Sequence, residues 1–157
     1  VYLPGHIDNK LLEELKISDL IKTFSCNTFA YWLAIQACNQ FMLEHRFGRF
    51  CSVSSIGSKF GGAMSRFSYT TSKSLLEYFP REFKELGKHN ILVNNIICGV
   101  TNTKILHKKT EKVSSRSALI PQKRLAEPLE IAEQIFLLAS DQNTFRHCSN
   151  TTVAGGE

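Results

Sequence analysis

The sequence predicts an α/β domain, a parallel sheet with helices packed on its faces. Two apolar runs, Phe50 to Ile56 and Asn90 to Cys98, have the length and β-branched character of buried strands. Segments of helical period alternate with them along the chain, and that alternation is the mark of strand–helix–strand units with right-handed crossovers.

Each element follows in order. Val1 to Leu3 reads as the end of a strand, and Lys10 to Leu15 as a short helical turn. From about Ser18 to His45 the apolar residues Leu20, Ile21, Phe24, Cys38, Phe41 and Met42 keep a 3.6 period, which predicts one long helix stopped by Gly48. After the strand Phe50–Ile56, Gly57, Gly61 and Gly62 predict a flexible loop. Phe67 to Leu86 is helical again, through Leu75, Leu76, Phe79 and Phe83. Pro80 should kink it, because proline removes a backbone donor and clashes with the preceding turn, and Gly87 should cap it. The strand Asn90–Cys98 follows, then a long polar segment over residues 100–123. Pro128 opens a last helix with Ile131, Ala132, Ile135, Phe136 and Leu138 on its buried face, and residues 151–153 form a short final strand.

Composition narrows the function. The chain has 157 residues, 43% of them hydrophobic, enough for one domain with a real core. The longest apolar run, Phe29 to Ile35, is far short of the roughly 20 residues of a membrane span. Nineteen Lys and Arg against 14 Asp and Glu give a formal charge of +5, which favours anionic partners without choosing among them. Lys104, Lys108, Lys109, Lys112, Arg116, Lys123 and Arg124 cluster against one acid, Glu111: a solvated loop, or a lid that draws an anionic ligand. The aromatic residues are interleaved with helix-core positions rather than set out for base stacking, so nucleic-acid binding is set aside. The five cysteines have no Cys-x-x-Cys pair and the histidines are scattered. Reduced thiols in a cytoplasmic protein without a metal site are the reading.

Four polar residues have positions that suggest chemistry. Tyr69 and Lys73 are one helical turn apart and share a face. A tyrosine is a poor acid–base group at neutral pH, and a neighbouring cation lowers its pKa. Ser55 ends a strand, where ligand crevices open in α/β sheets and a hydroxyl can bond a substrate carbonyl or alcohol. Asn27 sits in an apolar helix, a costly place unless its amide is used, for instance to hold a relay water or to bond a neighbouring backbone. Each signal alone is common; a lone Tyr-x-x-x-Lys or a strand-end Ser-Ser arises often by chance.

Together they resemble a known family. Phe50-Cys-Ser-Val-Ser-Ser-Ile-Gly57, Tyr69-Thr-Thr-Ser-Lys73, Leu92-Val-Asn-Asn-Ile-Ile-Cys-Gly99, Arg124-Leu-Ala-Glu-Pro-Leu-Glu-Ile-Ala132 with Phe136-Leu-Leu-Ala-Ser-Asp141, and Val153-Ala-Gly-Gly156 resemble the motifs of the short-chain dehydrogenase/reductases, in order and over essentially the whole chain. The resemblance implies a Rossmann-like fold and an NAD(P)-dependent oxidoreductase that reduces a carbonyl or oxidises an alcohol by hydride transfer, similar to the 3-oxoacyl-carrier-protein reductases. It implies an Asn27–Ser55–Tyr69–Lys73 tetrad: Tyr69 as general acid–base, Lys73 on the nicotinamide ribose and lowering the Tyr69 pKa, Ser55 on the substrate carbonyl, Asn27 on the relay water. Gly5 would lie near the cofactor, which is NAD or NADP. Gly99, Val100 and Thr101 would line the nicotinamide, and Thr103 would bond its carboxamide or a phosphate. Lys104 to Lys123 would be the substrate lid, and the substrate a small alcohol or carbonyl compound, including a carrier-linked acyl group. A homodimer or homotetramer through helices 18–45 and 68–86 is implied as well.

The chain also departs from the family. Tyr2-Leu3-Pro4-Gly5 stands where Asn-Asn-Ala-Gly is usual, Cys98 replaces a Pro, and Ala154 replaces an Asp. No Gly-x-x-x-Gly-x-Gly follows any strand, so the usual pyrophosphate cradle is missing. Residues 1–157 are therefore expected to be a single partial Rossmann-like domain, the catalytic half without the N-terminal strand–helix units. The alternative expectation is a non-catalytic Rossmann-like interaction module.

Overall fold

The structure, a computed structural model, describes residues 1–104 and 110–157. Three parallel strands form one sheet in the order β1 (Gly48–Ser55), β2 (Ile91–Cys98), β3 (Ser149–Val153). Gly48 faces Ile91 and Ser55 faces Cys98, while Asn94 faces Ser149 and Cys98 faces Val153. All three carboxyl ends therefore lie on one rim. Tyr2 makes a single parallel bridge to Ser52 on the outer edge of β1, its N–H donating to the Cys51 carbonyl at 2.8 Å.

Helices cover both faces, and for that reason β1 and β2 are buried almost without alternation. On one face, Tyr31 and Ile35 of α2 (Ala30–His45) and Leu76 pack on Phe50, Ile91 and Val93. On the other, Leu138 of α7 (Pro128–Ala139) packs on Cys51 and Ile96, with Ile135, Val53, Cys98 and Val153 around them. Ile91, Val93 and Ile96 are at most 1% exposed, and each contributes roughly 1.5–3 kcal/mol by burial. The polar centre of the sheet is also closed: Asn95 accepts from Ser52 Oγ, and its amide donates to Ser54 Oγ and to Asn150 Oδ1, each at 3.0 Å.

The expected helix 18–45 is present but carries a defect. α1 (Ile17–Phe24) passes into a π-turn at Ser25–Phe29 before α2 begins. α2 ends on Arg46, in the left-handed region at φ 48°, and Gly48 is the first residue of β1 rather than the stop. Gly57 opens one helical turn, α3 (Gly57–Phe60), so the glycine loop is partly ordered. The expected helix Phe67–Leu86 is broken rather than kinked. α4 (Phe67–Ser74) tightens into a 3₁₀ turn at Leu75–Glu77, and α5 (Arg81–Leu86) starts afresh with Pro80 as its N-cap. The break starts at Tyr78, already extended at ψ 129°, and Phe79, beside the proline, belongs to a position where α geometry is disfavoured. Gly87 continues in right-handed geometry, and Asn90 at φ 58° makes the left-handed stop.

α7 starts as the sequence predicts, with Pro128 in its first turn and the Glu130 carboxylate accepting the Glu127 N–H at 2.7 Å. The polar segment contains α6 (Thr110–Leu119), followed by the buried Ile120. The part of the expected lid at residues 105–109 lies outside the described residues. No described helix is long and apolar enough to cross a membrane, and all five cysteines are free.

Candidate active site

Parallel strands bring the chain to the same rim each time it leaves the sheet, and the expected site residues gather there. Ser55 is the last residue of β1 and lies opposite Cys98, the last of β2. Residues 3–5, running on from the Tyr2 bridge, reach the same rim. α4 lies along β1 and presents Tyr69 and Lys73.

Ser55 Oγ accepts the Gly57 N–H at 3.2 Å, which leaves its own hydrogen free to point elsewhere. The Tyr69 phenol lies close enough to Ser55 for the serine to draw its pKa down. Burial raises the Tyr69 pKa above its ordinary value, and Ser55 and the Arg66 charge pull the other way. The lowering expected from Lys73 is not found: the cation that draws the Tyr69 pKa down is Arg66, and burial outweighs it. Lys73 is 3% exposed, and burial holds its ammonium at about 8. Its Nζ donates to the Val53 carbonyl at 2.8 Å and to the Pro4 carbonyl at 3.2 Å. An ammonium has three donors, and the third has no protein partner among the described residues.

Asn27 lies in the π-turn and is fully buried. Its Oδ1 accepts the His6 N–H at 2.7 Å, and its Nδ2 donates to the His6 carbonyl at 3.0 Å and to Ser72 Oγ at 2.8 Å. The amide is therefore spent on protein partners, and a relay water would have to be held by other atoms. Gly5 lies over Lys73: a Cβ built on it would be 3.9 Å from Cε and Nζ, an ordinary contact. Gly99 is different, because a Cβ there would be 2.6 Å from Ala154 Cα; it is glycine because β2 and the end of β3 close together. Thr101 Oγ1 donates to the Gly99 carbonyl and sits 3.2 Å from Cys98 Sγ. Val100 accepts the Ala126 N–H, and Asn102 donates to the Ala126 carbonyl, which closes the two stems of the 103–125 excursion against each other. Thr103 follows, half-buried, in a bend.

Sequence reasoning missed a second layer of polar residues. Asp8 Oδ2 accepts from Thr23 Oγ1 at 3.0 Å and from Ser68 Oγ, and Thr28 Oγ1 donates to the Ser72 carbonyl at 2.6 Å. A signal was there: Thr23 and Asn27 on one helix, and Ser68 and Ser72 on another, are each a turn apart, a polar stripe on each of two facing buried surfaces. The larger cavities are elsewhere. One of about 440 Å³ is bordered by Leu12, Phe60, Met64 and Phe67, and one of about 720 Å³ by Lys123, Arg124 and Glu133; neither includes Ser55, Tyr69 or Lys73.

Over residues 4–157 the chain matches the protein family described as enoyl-(acyl carrier protein) reductase. It is 29% identical over 147 residues to an L-rhamnose-1-dehydrogenase of Scheffersomyces stipitis, covering 91% of this chain and 57% of that protein. It is 27% identical over 154 residues to a 3-oxoacyl-(acyl-carrier-protein) reductase of Aquifex aeolicus, covering 97% of this chain and 62% of that one. Among solved structures, a putative NAD(P)-dependent gluconate 5-dehydrogenase of Beutenbergia cavernae, with NADP bound at low occupancy, superposes with a TM-score of 0.87 at 26% identity, over 99% of this chain and 64% of that chain. The chain thus spans about three-fifths of the length of these proteins.

Proposed function

Because the chain belongs to the short-chain dehydrogenase/reductase family, we propose that it carries the proton-transfer machinery of an NAD(P)-dependent oxidoreductase acting on a carbonyl or an alcohol. One observation carries the reading: a half-buried phenol that feels a strand-end serine, one helical turn from a buried ammonium. Tyr69 gives its proton to the carbonyl oxygen as the carbonyl is reduced and takes it back as an alcohol is oxidised. Ser55 holds that oxygen, with its acceptor side already occupied by the Gly57 N–H. Lys73 keeps the Tyr69 side of the rim positive.

NAD or NADP is the proposed cofactor, and it supplies or takes the hydride when bound. The residues present fit its nicotinamide-ribose end. Lys73 has one unspent donor for a ribose hydroxyl, and Gly5 stands beside it without a side chain to intrude. Gly99, Val100, Thr101 and Thr103 are the proposed nicotinamide neighbours. The substrate is proposed to be a small alcohol or carbonyl compound, with a carrier-linked acyl group among the candidates, and the protein to work in the cytoplasm. Self-association through helices 18–45 and 68–86 is supported by a stripe of exposed apolar residues at one-turn spacing, Phe29, Leu33, Ala37 and Phe41.

The test is turnover of the purified protein with NADH and NADPH against 3-oxoacyl thioesters, and with NAD+ and NADP+ against aldoses. Tyr69→Phe keeps the ring and removes only the hydroxyl, and it should lower turnover by about 10²–10⁴-fold with an unchanged melting temperature. Near-normal turnover would remove Tyr69 from the role. A second reading, a Rossmann-like interaction module without catalysis, draws on the Tyr2-Leu3-Pro4-Gly5 departure and the exposed stripe. It gains if the unaltered chain neither turns over nor binds either cofactor.

A further inference from the structure

We propose that Thr28 is a positioning residue for Lys73, acting through the peptide that joins Ser72 to Lys73; the inference rests on the role given to Lys73 above.

Thr28 and Ser72 are both fully buried. The Ser72 carbonyl belongs to the last turn of α4, just before the backbone tightens into the 3₁₀ turn at Leu75–Glu77. Carbonyls at a helix end lack regular partners within the helix. Thr28 Oγ1 supplies one at 2.6 Å. A threonine inside a helix usually turns its hydroxyl back to a carbonyl of its own preceding turn. Here it reaches across to another helix, and the π-turn makes that possible: the widened turn directs the consecutive residues Asn27 and Thr28 to the same partner.

Residue 72 is consequently held at three points. Thr28 takes its carbonyl, Asn27 Nδ2 donates to its Oγ at 2.8 Å, and its own hydroxyl donates to the Tyr69 carbonyl at 2.8 Å. The carbonyl carbon fixed by Thr28 is bonded directly to the Lys73 nitrogen. The π-turn also sets one of the two acceptors of the Lys73 ammonium, because Asn27 grips the His6 backbone two residues after Pro4. A lysine side chain has much rotamer freedom, so the buried end of Lys73 stays on two fixed carbonyls only if its stem is fixed as well. Thr28 fixes the stem. Nothing in its residue type suggests this, and its hydroxyl bonds neither Tyr69 nor the Lys73 side chain but the Ser72 carbonyl.

The experiment follows Lys73 itself. In protein labelled with ¹³C-lysine, the Lys73 ε-carbon signal is assigned with Lys73→Arg and titrated. In the unaltered chain the ammonium should titrate at about 8. Thr28→Val keeps the shape and deletes the hydroxyl. The loosened ammonium then gains water, and its titration should move upward toward the ordinary lysine value of about 10.4. Thr28→Ser keeps the hydroxyl and should titrate like the unaltered chain. Turnover of Thr28→Val should fall between about 10- and 100-fold, the effect of a displaced reacting group, with little change in substrate KM. If Thr28→Val does not fold, Thr28→Ala is read in the same way. An unmoved titration in the hydroxyl-free variant overturns the proposal. So does an equal shift in Thr28→Ser, which would assign the effect to the lost methyl. A titration that moves in a chain without any turnover keeps the positioning role and overturns the proposed activity instead.

Discussion

Lys73 should make the stability of the protein rise with pH over a range where most proteins begin to lose it. Its ammonium is buried and titrates at about 8 in the fold, against about 10.4 in an unfolded chain. Between these values the unfolded chain binds the proton and the folded one does not, so stability increases with pH and levels off near the upper value. Below pH 8 both states are charged and the full desolvation cost is present. The gap corresponds to about 3 kcal/mol. The Val53 and Pro4 carbonyls return part of that through charge-assisted bonds, so the measurable swing lies between about 1 and 3 kcal/mol. Cys51, held at about 11 by burial, and Tyr69, raised by burial, act in the opposite direction, because the fold keeps their protons longer than the unfolded chain does. Lys73→Met separates these contributions: it keeps the stem, removes the charge and leaves Cys51 and Tyr69 in place. Urea unfolding of both proteins at pH 7, 8, 9 and 10 gives the difference curve. The stability of the unaltered chain relative to Lys73→Met should climb from pH 8 upward. Parallel curves would refute the buried, desolvated ammonium and with it the geometry proposed for its neighbours.

Two further outcomes follow from the packing of the sheet. His147 Nδ1 accepts the Val93 N–H at 3.1 Å and its Nε2 donates to the Lys84 carbonyl at 3.2 Å, so one ring completes a strand and a helix end; His147→Phe should cost about 1–3 kcal/mol in thermal unfolding, and a neutral result would show that water replaces it. Gly99→Ala drives a methyl to 2.6 Å from Ala154 Cα and should destabilise by about 1–3 kcal/mol in urea, whereas Gly5→Ala, with nothing nearer than 3.9 Å, should leave the unfolding midpoint in place; equal effects at the two glycines would contradict the close approach of β2 and β3.

The strands were legible because burial on both faces leaves little but apolar residues, as in Ile91–Cys98, and the start of α7 because Pro128 has only one good place in a helix. Tyr69, Lys73 and Ser55 were legible as a set because spacing on a helix and position at a strand end are local facts. The π-turn was not: Ser25–Phe29 contains no Gly or Pro to mark a break in the helix, and its extra residue per turn is stabilised by contacts with Ser72 and His6 far along the chain. Pro80 was visible as a disturbance, yet whether a helix bends or restarts depends on Tyr78 and Phe79 finding extended positions against the fold. The stops at Arg46 and Asn90 were assigned to the nearby glycines, because glycine is the usual left-handed residue while the turn geometry put the strain two or three residues away. The carbonyl partners of Lys73 and the Asp8–Thr23–Ser68 cluster have no sequence signature of their own; they exist only once α1, α4 and the rim meet.

Asn95 joins three strands with one amide, and this has an evolutionary side. Ser52, Ser54 and Asn150 each give it or take from it one hydrogen bond, in the plane behind Ser55. No single substitution at position 95 can satisfy all three, and none of the three can turn apolar without stranding part of the amide. Changes in this layer must then arrive as compensated groups, so sequence drift is steered outward, to the excursion after Thr103 and the turn after Ser55, while the rim on which Ser55, Tyr69 and Lys73 are mounted stays the same.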